Sequence, residues 1–261
     1  MMQRWNFLAV IGRVFLAFLE STGHLILFTA TALHHVVAPP FFVRITLQQM
    51  LRIGYFSLPV VGLTAIFTGA VLALQIYIGG SRFNAEGFVG QVVVISMVRE
   101  LGPVLAALML AGRVSSAIAA EIGTMRVTEQ IDALTTLATN PFKYLVAPRL
   151  IAATLCLPLL VLIADIIGVM GGFLAATQRL NLNAGVYMKS TLDVLELGDV
   201  TSGLTKAAVF GFLIALMGCY HGYNSKGGAQ GVGTATTDAV VSASILILLF
   251  NYILTDFFFS G

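Results

Sequence analysis

The stretch QVVVISMVRELGPVLAALMLAG, residues 91–112, decides the fold class. At ~1.5 Å per residue it is long enough for a helix to cross the ~30 Å hydrocarbon core of a bilayer. Yet it carries two adjacent charges, Arg99 and Glu100. Each costs roughly 2.5–3.5 kcal/mol at the bilayer centre on insertion scales, so such residues are kept where they face a cavity, a partner subunit or a transport path. Neighbours in a helix point about 100° apart and do not meet, so each charge needs its own partner. Pro103 follows four residues after Arg99, removes a backbone donor and favours a kink. Asp165 is the third embedded charge, a candidate partner for Arg99 or the cap of an internal cavity.

The composition agrees. Of 261 residues, 58% are hydrophobic and only 10% charged, against about 25% charged in soluble domains. The class is all-α integral membrane, because the apolar runs lack the alternation of a membrane barrel. Five runs have spanning length, at about 53–79, 91–112, 150–177, 205–223 and 239–258. Residues 1–40 read as an amphipathic segment lying in the membrane interface, ended by Pro39-Pro40, and 41–261 as one transmembrane domain. A sixth span within 5–35 is the less favoured reading, since Arg13, Glu20 and His24 interrupt it. No cleavable signal is evident, and the N-terminus is expected to persist.

Basic residues set the orientation. Arg4, Arg13, Arg44 and Arg52 precede the first span, and Arg113, Arg126, Lys143 and Arg149 separate spans two and three. Lys226 lies between spans four and five. On the opposite side Arg82, Arg179 and Lys189 are diluted by Glu86, Asp193, Glu196 and Asp199. The positive-inside rule then puts the N-terminus in the cytoplasm and, after five spans, the C-terminus outside.

Small residues recur at helical spacing: Ala65, Gly69 and Ala73; Gly168 and Gly172; Gly211, Ala215, Gly218 and Gly222. Such stripes let helix backbones approach closely, mostly within the chain and in part at a subunit interface. Thr64, Thr68 and Gln75 share one face of span one, with Tyr77 and Phe83 near its outer end, a mildly polar and partly aromatic lining suited to an amphipathic cargo. The connector EIGTMRVTEQIDAL, residues 121–134, mixes Glu121, Arg126, Glu129 and Asp132 with apolar anchors and suits insertion into a groove on a soluble partner.

Other chemistries lack their residues. There is no Walker loop, no H-E-x-x-H and no G-x-S-x-G. The four histidines have no metal-site spacing, and Cys156 and Cys219 lie in apolar runs as embedded thiols. The glycine-rich run 227–233 reads as a flexible turn before span five. No enzyme, metal site or nucleic-acid partner is expected.

VRELGPVLAALMLAGRVSSAIAAEIGTMRVTEQIDAL, residues 98–134, closely resembles the signature region of the MlaE-type permeases. These are the membrane subunits of Mla-like ABC transporters that work with MCE-domain lipid carriers. The resemblance implies a homodimer bound to two ATPase subunits, which hold the ATP and Mg, with a small STAS-domain regulator in many systems and a hexamer of MCE domains. It implies transport of phospholipids or related lipids between a bacterial inner membrane and the outer envelope, and so a part in outer-membrane lipid asymmetry. Carried over by position, the segment 121–139 is the coupling helix, with Glu121, Met125, Arg126, Glu129, Gln130 and Asp132 facing the ATPase. Leu72, Gln75, Tyr77, Phe83, Arg99 and Glu100 line the lipid cavity. The rival reading is an ion- or proton-coupled secondary transporter that uses Arg99, Glu100 and Asp165 as a relay; internal inverted repeats, common in that class, are not visible.

Overall fold

In a membrane every backbone polar group must be satisfied internally, and this chain does so with helices. The computed structural model describes residues 7–80 and 86–259, and among these there is no strand. The order is α1 (Phe7–Val37), α2 (Val43–Ile53), α3 (Leu58–Gly80), α4 (Val89–Ser96), α5 (Gly102–Leu110), α6 (Ser116–Val127), α7 (Gln130–Thr136), α8 (Ala147–Gln178), α9 (Ala184–Val194), α10 (Leu197–Tyr223) and α11 (Gly228–Phe259). Two π-helical turns, Met97–Leu101 and Ala111–Ser115, join α4, α5 and α6 into one long rod. Six helical stretches among the described residues are long and apolar enough to cross a membrane: Gly12–Val37, Val43–Gly80, Val89–Val127, Phe142–Gln178, Leu197–Tyr223 and Gly228–Phe259.

The five central spans expected from sequence are all present, and each is longer than its apolar text. The second runs on to Val127, because the polar residues after Gly112 continue the helix through the second π turn. The fourth begins at Leu197, where a capping box between Glu196 and Asp199 satisfies its first backbone donors. The fifth begins at Gly228, which corrects the reading of 227–233 as a flexible turn. Only Gly227 and Gly228, with φ of 89° and 68°, make the turn. The residues that follow continue as helix, and Ala235, Ala239 and Ala243 form the buried face of α11.

The helix α1 ends at Val37, just before Pro39-Pro40. Its buried side chains, Phe28 and Ala32, belong to the main core, and Phe28 stacks among Phe142, Tyr220 and Tyr223 at 5.1–6.0 Å. His35 meets Asn140 at 3.0 Å. Those partners all lie at the end of the bundle that carries α7.

The small-residue stripes pack within the chain. A Cβ on Gly69 would fall inside the Gly168 carbonyl, and one on Gly171 would run into the carbonyl of Ile66. The pair α3 and α8 is therefore held at backbone contact. Gly211 meets the Ala153 carbonyl, while Gly218 and Gly222 seat on the carbonyls of Ser115 and Ala119, which locks α10 against α8 and α6. Without a hydrophobic drive between helices in lipid, this close packing is the main source of cohesion. Gly69→Ala is expected to cost about 1–3 kcal/mol of overpacking and to lower the melting temperature in detergent. Gly79→Ala, whose added methyl meets nothing within 4 Å, is the control and should melt like the parent chain.

Candidate functional site

The charges of the second span find their partners on the fourth and fifth. Gly203 sits against the Val98 carbonyl, so close that no side chain fits between α10 and the first π turn. That approach brings the face of α10 bearing Asp199, Ser202 and Lys206 onto Arg99 and Glu100. Arg99 Nη2 and Nε both reach Asp199 Oδ1 at 2.6 Å. Lys206 Nζ donates to Glu100 Oε1 at 2.6 Å, to the Arg99 carbonyl at 2.9 Å and to Thr255 Oγ1 at 2.8 Å. All three ammonium donors are thus used. From α11, Asn251 Nδ2 donates to Glu100 Oε2 at 3.0 Å, and Thr255 Oγ1 lies 3.0 Å from Glu100 Oε1. Two cations and two anions balance.

The network has a closed inner part and an open outer part. Lys206 and Asp199 side chains are 0% and 2% exposed, whereas Arg99 and Glu100 keep 33% and 35% open. Phe259 covers part of the Arg99 guanidinium, its ring centroid 4.5 Å away. From the start of α10, Lys206 is nine residues in, or about 13 Å at helical rise, so the cluster reaches well into the bundle from the end opposite α7. A one-third-open guanidinium beside a carboxylate, both held on rigid helices, offers a donor fork and an acceptor side by side.

The other sequence-derived candidates are distributed differently. Leu72 and Tyr77 pack against a second, smaller core cluster that includes Ala73, Val89, Val93, Met97 and Tyr187, and Gln75 is exposed. Among the described residues no hydrogen bond or ion pair joins Leu72, Gln75 or Tyr77 to Arg99 or Glu100. Phe83 lies outside the described residues. Thr64 and Thr68 border the α3–α5 contact, and Thr64 bonds back to the Val60 carbonyl at 2.8 Å. Asp165 is buried at 8% exposure, and no ion pair reaches it. The pairing of Asp165 with Arg99 is therefore corrected: Asp199 takes that place. Among the described residues no hydrogen bond or ion pair joins Asp165 to Arg99 or Glu100.

At the other end, residues 121–139 form two pieces rather than one helix. The rod ends at Val127, Glu129 adopts a left-handed conformation at φ 59°, and α7 projects beyond. Glu121, 43% exposed, pairs with the chain's own arginines: Arg149 Nη2 at 2.8 Å and Arg52 Nη1 at 3.5 Å. Arg126 holds Asp132 at 2.7 Å across the turn and lies 5.9 Å from the Tyr223 ring. Met125 packs on the core, while Glu129 and Gln130 are exposed, as is Leu137 at 74%. Ile131, 1% exposed, pins α7 down.

Sequence reasoning missed Lys206, Asn251 and Thr255, and it counted Asp199 only as a soluble-side charge. The available signal was spacing. Asp199 and Lys206 are seven apart, two turns on one helix face, and Asn251 and Thr255 are four apart. Lys206→Met leaves Glu100 without its cation, and the loss should fall at the lower end of ~3–5 kcal/mol because Glu100 stays partly open. Melting in detergent checks this. The double variant Lys206→Met with Glu100→Gln should regain much of the loss, and no recovery would show that the two charges are not coupled.

Comparison with known proteins places this geometry. The family profile described as Permease MlaE matches residues 46–257. The chain is 55% identical, over 98% of both chains, to a "Probable ABC transporter permease protein" of Rickettsia conorii. It is 33% identical, over 98% of both chains, to the "Intermembrane phospholipid transport system permease protein MlaE" of Haemophilus influenzae. It is also 38% identical to the chloroplastic protein TRIGALACTOSYLDIACYLGLYCEROL 1 of Arabidopsis thaliana, over 84% of this chain and 62% of that protein.

Proposed function

Because this chain belongs to the MlaE permease family, as the membrane subunit of an ABC transporter whose ATP is used by a partner ATPase, we propose that it moves phospholipids between a bacterial inner membrane and the outer envelope. The observation that carries the reading is the half-open Arg99–Glu100 pair, held within the bundle by Asp199 and Lys206. A diacyl phospholipid needs a polar contact for its head inside an otherwise apolar body. Arginine's planar fork suits phosphate, and its charge persists at every physiological pH. Leu72, Gln75, Tyr77 and Phe83 complete the lining only if a second protomer or another conformation brings them opposite, which fits a cavity formed between two copies.

The coupling end is the α6–α7 turn. Glu129, Gln130 and Leu137 are its free contacts for the ATPase, a charged and amide rim beside one apolar anchor. Glu121, Met125, Arg126 and Asp132 serve by shaping that turn. The basic residues Arg52, Arg126, Lys143, Arg149 and Lys226 gather at this same end, which supports a cytoplasmic α7. On this reading α1 lies in the interface, with the N-terminus cytoplasmic and the C-terminus periplasmic. The complex is a homodimer with two ATPase subunits, Mg bound with their ATP, a hexameric MCE-domain carrier on the far side and, in some assemblies, a STAS-domain regulator.

The test is reconstitution of the whole complex in liposomes carrying labelled phospholipid. The parent complex should transfer lipid only with ATP. Arg99→Lys keeps the charge but loses the fork, and transfer should fall on the order of tenfold, about 1.4 kcal/mol, at nearly unchanged melting temperature. Glu129→Lys should abolish copurification of the ATPase while the membrane domain stays folded. Parent-like transfer in Arg99→Lys would remove the guanidinium from the lipid path, and an intact complex in Glu129→Lys would move the docking surface elsewhere.

A further inference from the structure

A cavity lies beside the first π turn, bordered by Val98 and Val200, the chain neighbours of Arg99 and Asp199. It is about 250 Å³, enclosed by Val98 of the first π turn, by Leu162, Val169 and Phe173 of α8, and by Tyr187 of α9. The walls are almost wholly apolar, with one exception. Asp165, at the middle of α8, is among the lining residues, and one of its carboxyl oxygens, Oδ1, is packed against Gly102 without a hydrogen-bond partner. The chain's nearby cations are committed elsewhere, Arg99 to Asp199 and Lys206 to Glu100. A carboxyl in such a place costs several kcal/mol unless something answers it. The Tyr187 hydroxyl is likewise buried and unpartnered, and burial pushes its phenol up to about 12, so it stays a neutral hydroxyl.

The cavity is built rather than incidental. Its roof, α9, is clamped onto α4 at Gly90, where a side chain would strike Ser190, Thr191 and the Tyr187 carbonyl. Asp165 itself presses on Gly102, a contact only glycine allows. Ile166 and Met170 at its rim are 60% and 47% exposed on the outer face of α8, so access is from the side, through the bilayer.

We propose that this cavity binds a single-tailed lipophilic amine, its alkyl chain along the apolar wall and its ammonium on Asp165. The volume is below the ~300–1,000 Å³ of pockets that hold larger ligands, which favours one chain over a two-tailed lipid. The buried carboxyl selects a cation over an alcohol or an acid. Occupancy would wedge α9 and α8 against the π turn that presents Arg99, so such amines would act on the permease from a site beside its head-binding pair.

The experiment uses the full chain in phosphatidylcholine nanodiscs and three photoreactive dodecyl probes that differ only in the head: primary amine, alcohol and carboxylate. Adducts are mapped by mass spectrometry. The expected result is labelling of α8 and α9 peptides by the amine, at least tenfold above the carboxylate and clearly above the alcohol. Asp165→Asn should bring the amine down to the alcohol's level. Val169→Phe, which fills the cavity and leaves Asp165 in place, should remove labelling by all three, and it keeps the test decisive should Asp165→Asn fold poorly. Equal labelling by the three heads, or amine labelling that survives both variants, would mean surrounding lipid only and overturn the proposal.

Discussion

The Lys206 ammonium is the interaction on which the interior depends. Pro103 has no N–H to offer the Arg99 carbonyl four residues before it, and hydrocarbon supplies no water to take its place. Lys206 fills the vacancy at 2.9 Å while also binding Glu100 and Thr255. One group therefore satisfies a broken backbone ladder, neutralises an embedded carboxylate and ties the second, fourth and fifth spans together. The π turn at Met97–Leu101 belongs to the same solution: the Gly102 amide bonds the Met97 carbonyl five residues back, which rotates Arg99 and Glu100 toward α10 and α11.

The opposite end repeats the logic with different partners. Glu121, at the far end of the same rod, ties Arg52 of α2 and the buried Arg149 of α8. Span two is thus a rigid bar with an ionic joint near each end, one to α10 and α11, one to α2 and α8. On the proposed coupling, a displacement of the α6–α7 turn is carried along that bar, because helices packed at glycine–carbonyl contact slide or pivot as units rather than bend.

What was legible in the sequence follows from which terms are local. Apolar length located all five central spans, and the cost of embedded charge singled out Arg99 and Glu100 before any partner was visible. The span limits were not legible in the same way. Helical geometry continues through polar text wherever a cap or a tertiary contact satisfies it, as at Glu196–Asp199 and along Ala235, Ala239 and Ala243. The small-residue stripes were readable as close packing, but their partners depend on which helices become neighbours. The partner of Asp165 stayed open between Arg99 and an internal cavity for that reason: complementary charge is a local property, and the side of the helix on which it is answered is not. Lys206 escaped notice because it stands one residue inside an apolar run, where a basic residue reads as a flank that reaches to the headgroups.

The division within the ionic network bears on how the proposed lipid-binding pair avoids a trap. A fully buried pair would hold its geometry but offer nothing to a cargo, while a fully open pair would be hydrated and gain little from a lipid head. Here Asp199 and Lys206 are closed and fixed by a capping box and by three hydrogen bonds, and Arg99 and Glu100 are left one-third open on the same scaffold. The closed members spend the desolvation cost once, at folding. On the proposed function, the open members then exchange solvent for a headgroup with little reorganisation. Phe259, resting on the guanidinium at the end of α11, makes that exchange depend on where the last turn of the fifth span sits. The position of α11 therefore sets access to Arg99, while the Arg99–Asp199 and Lys206–Glu100 pairs are made without it.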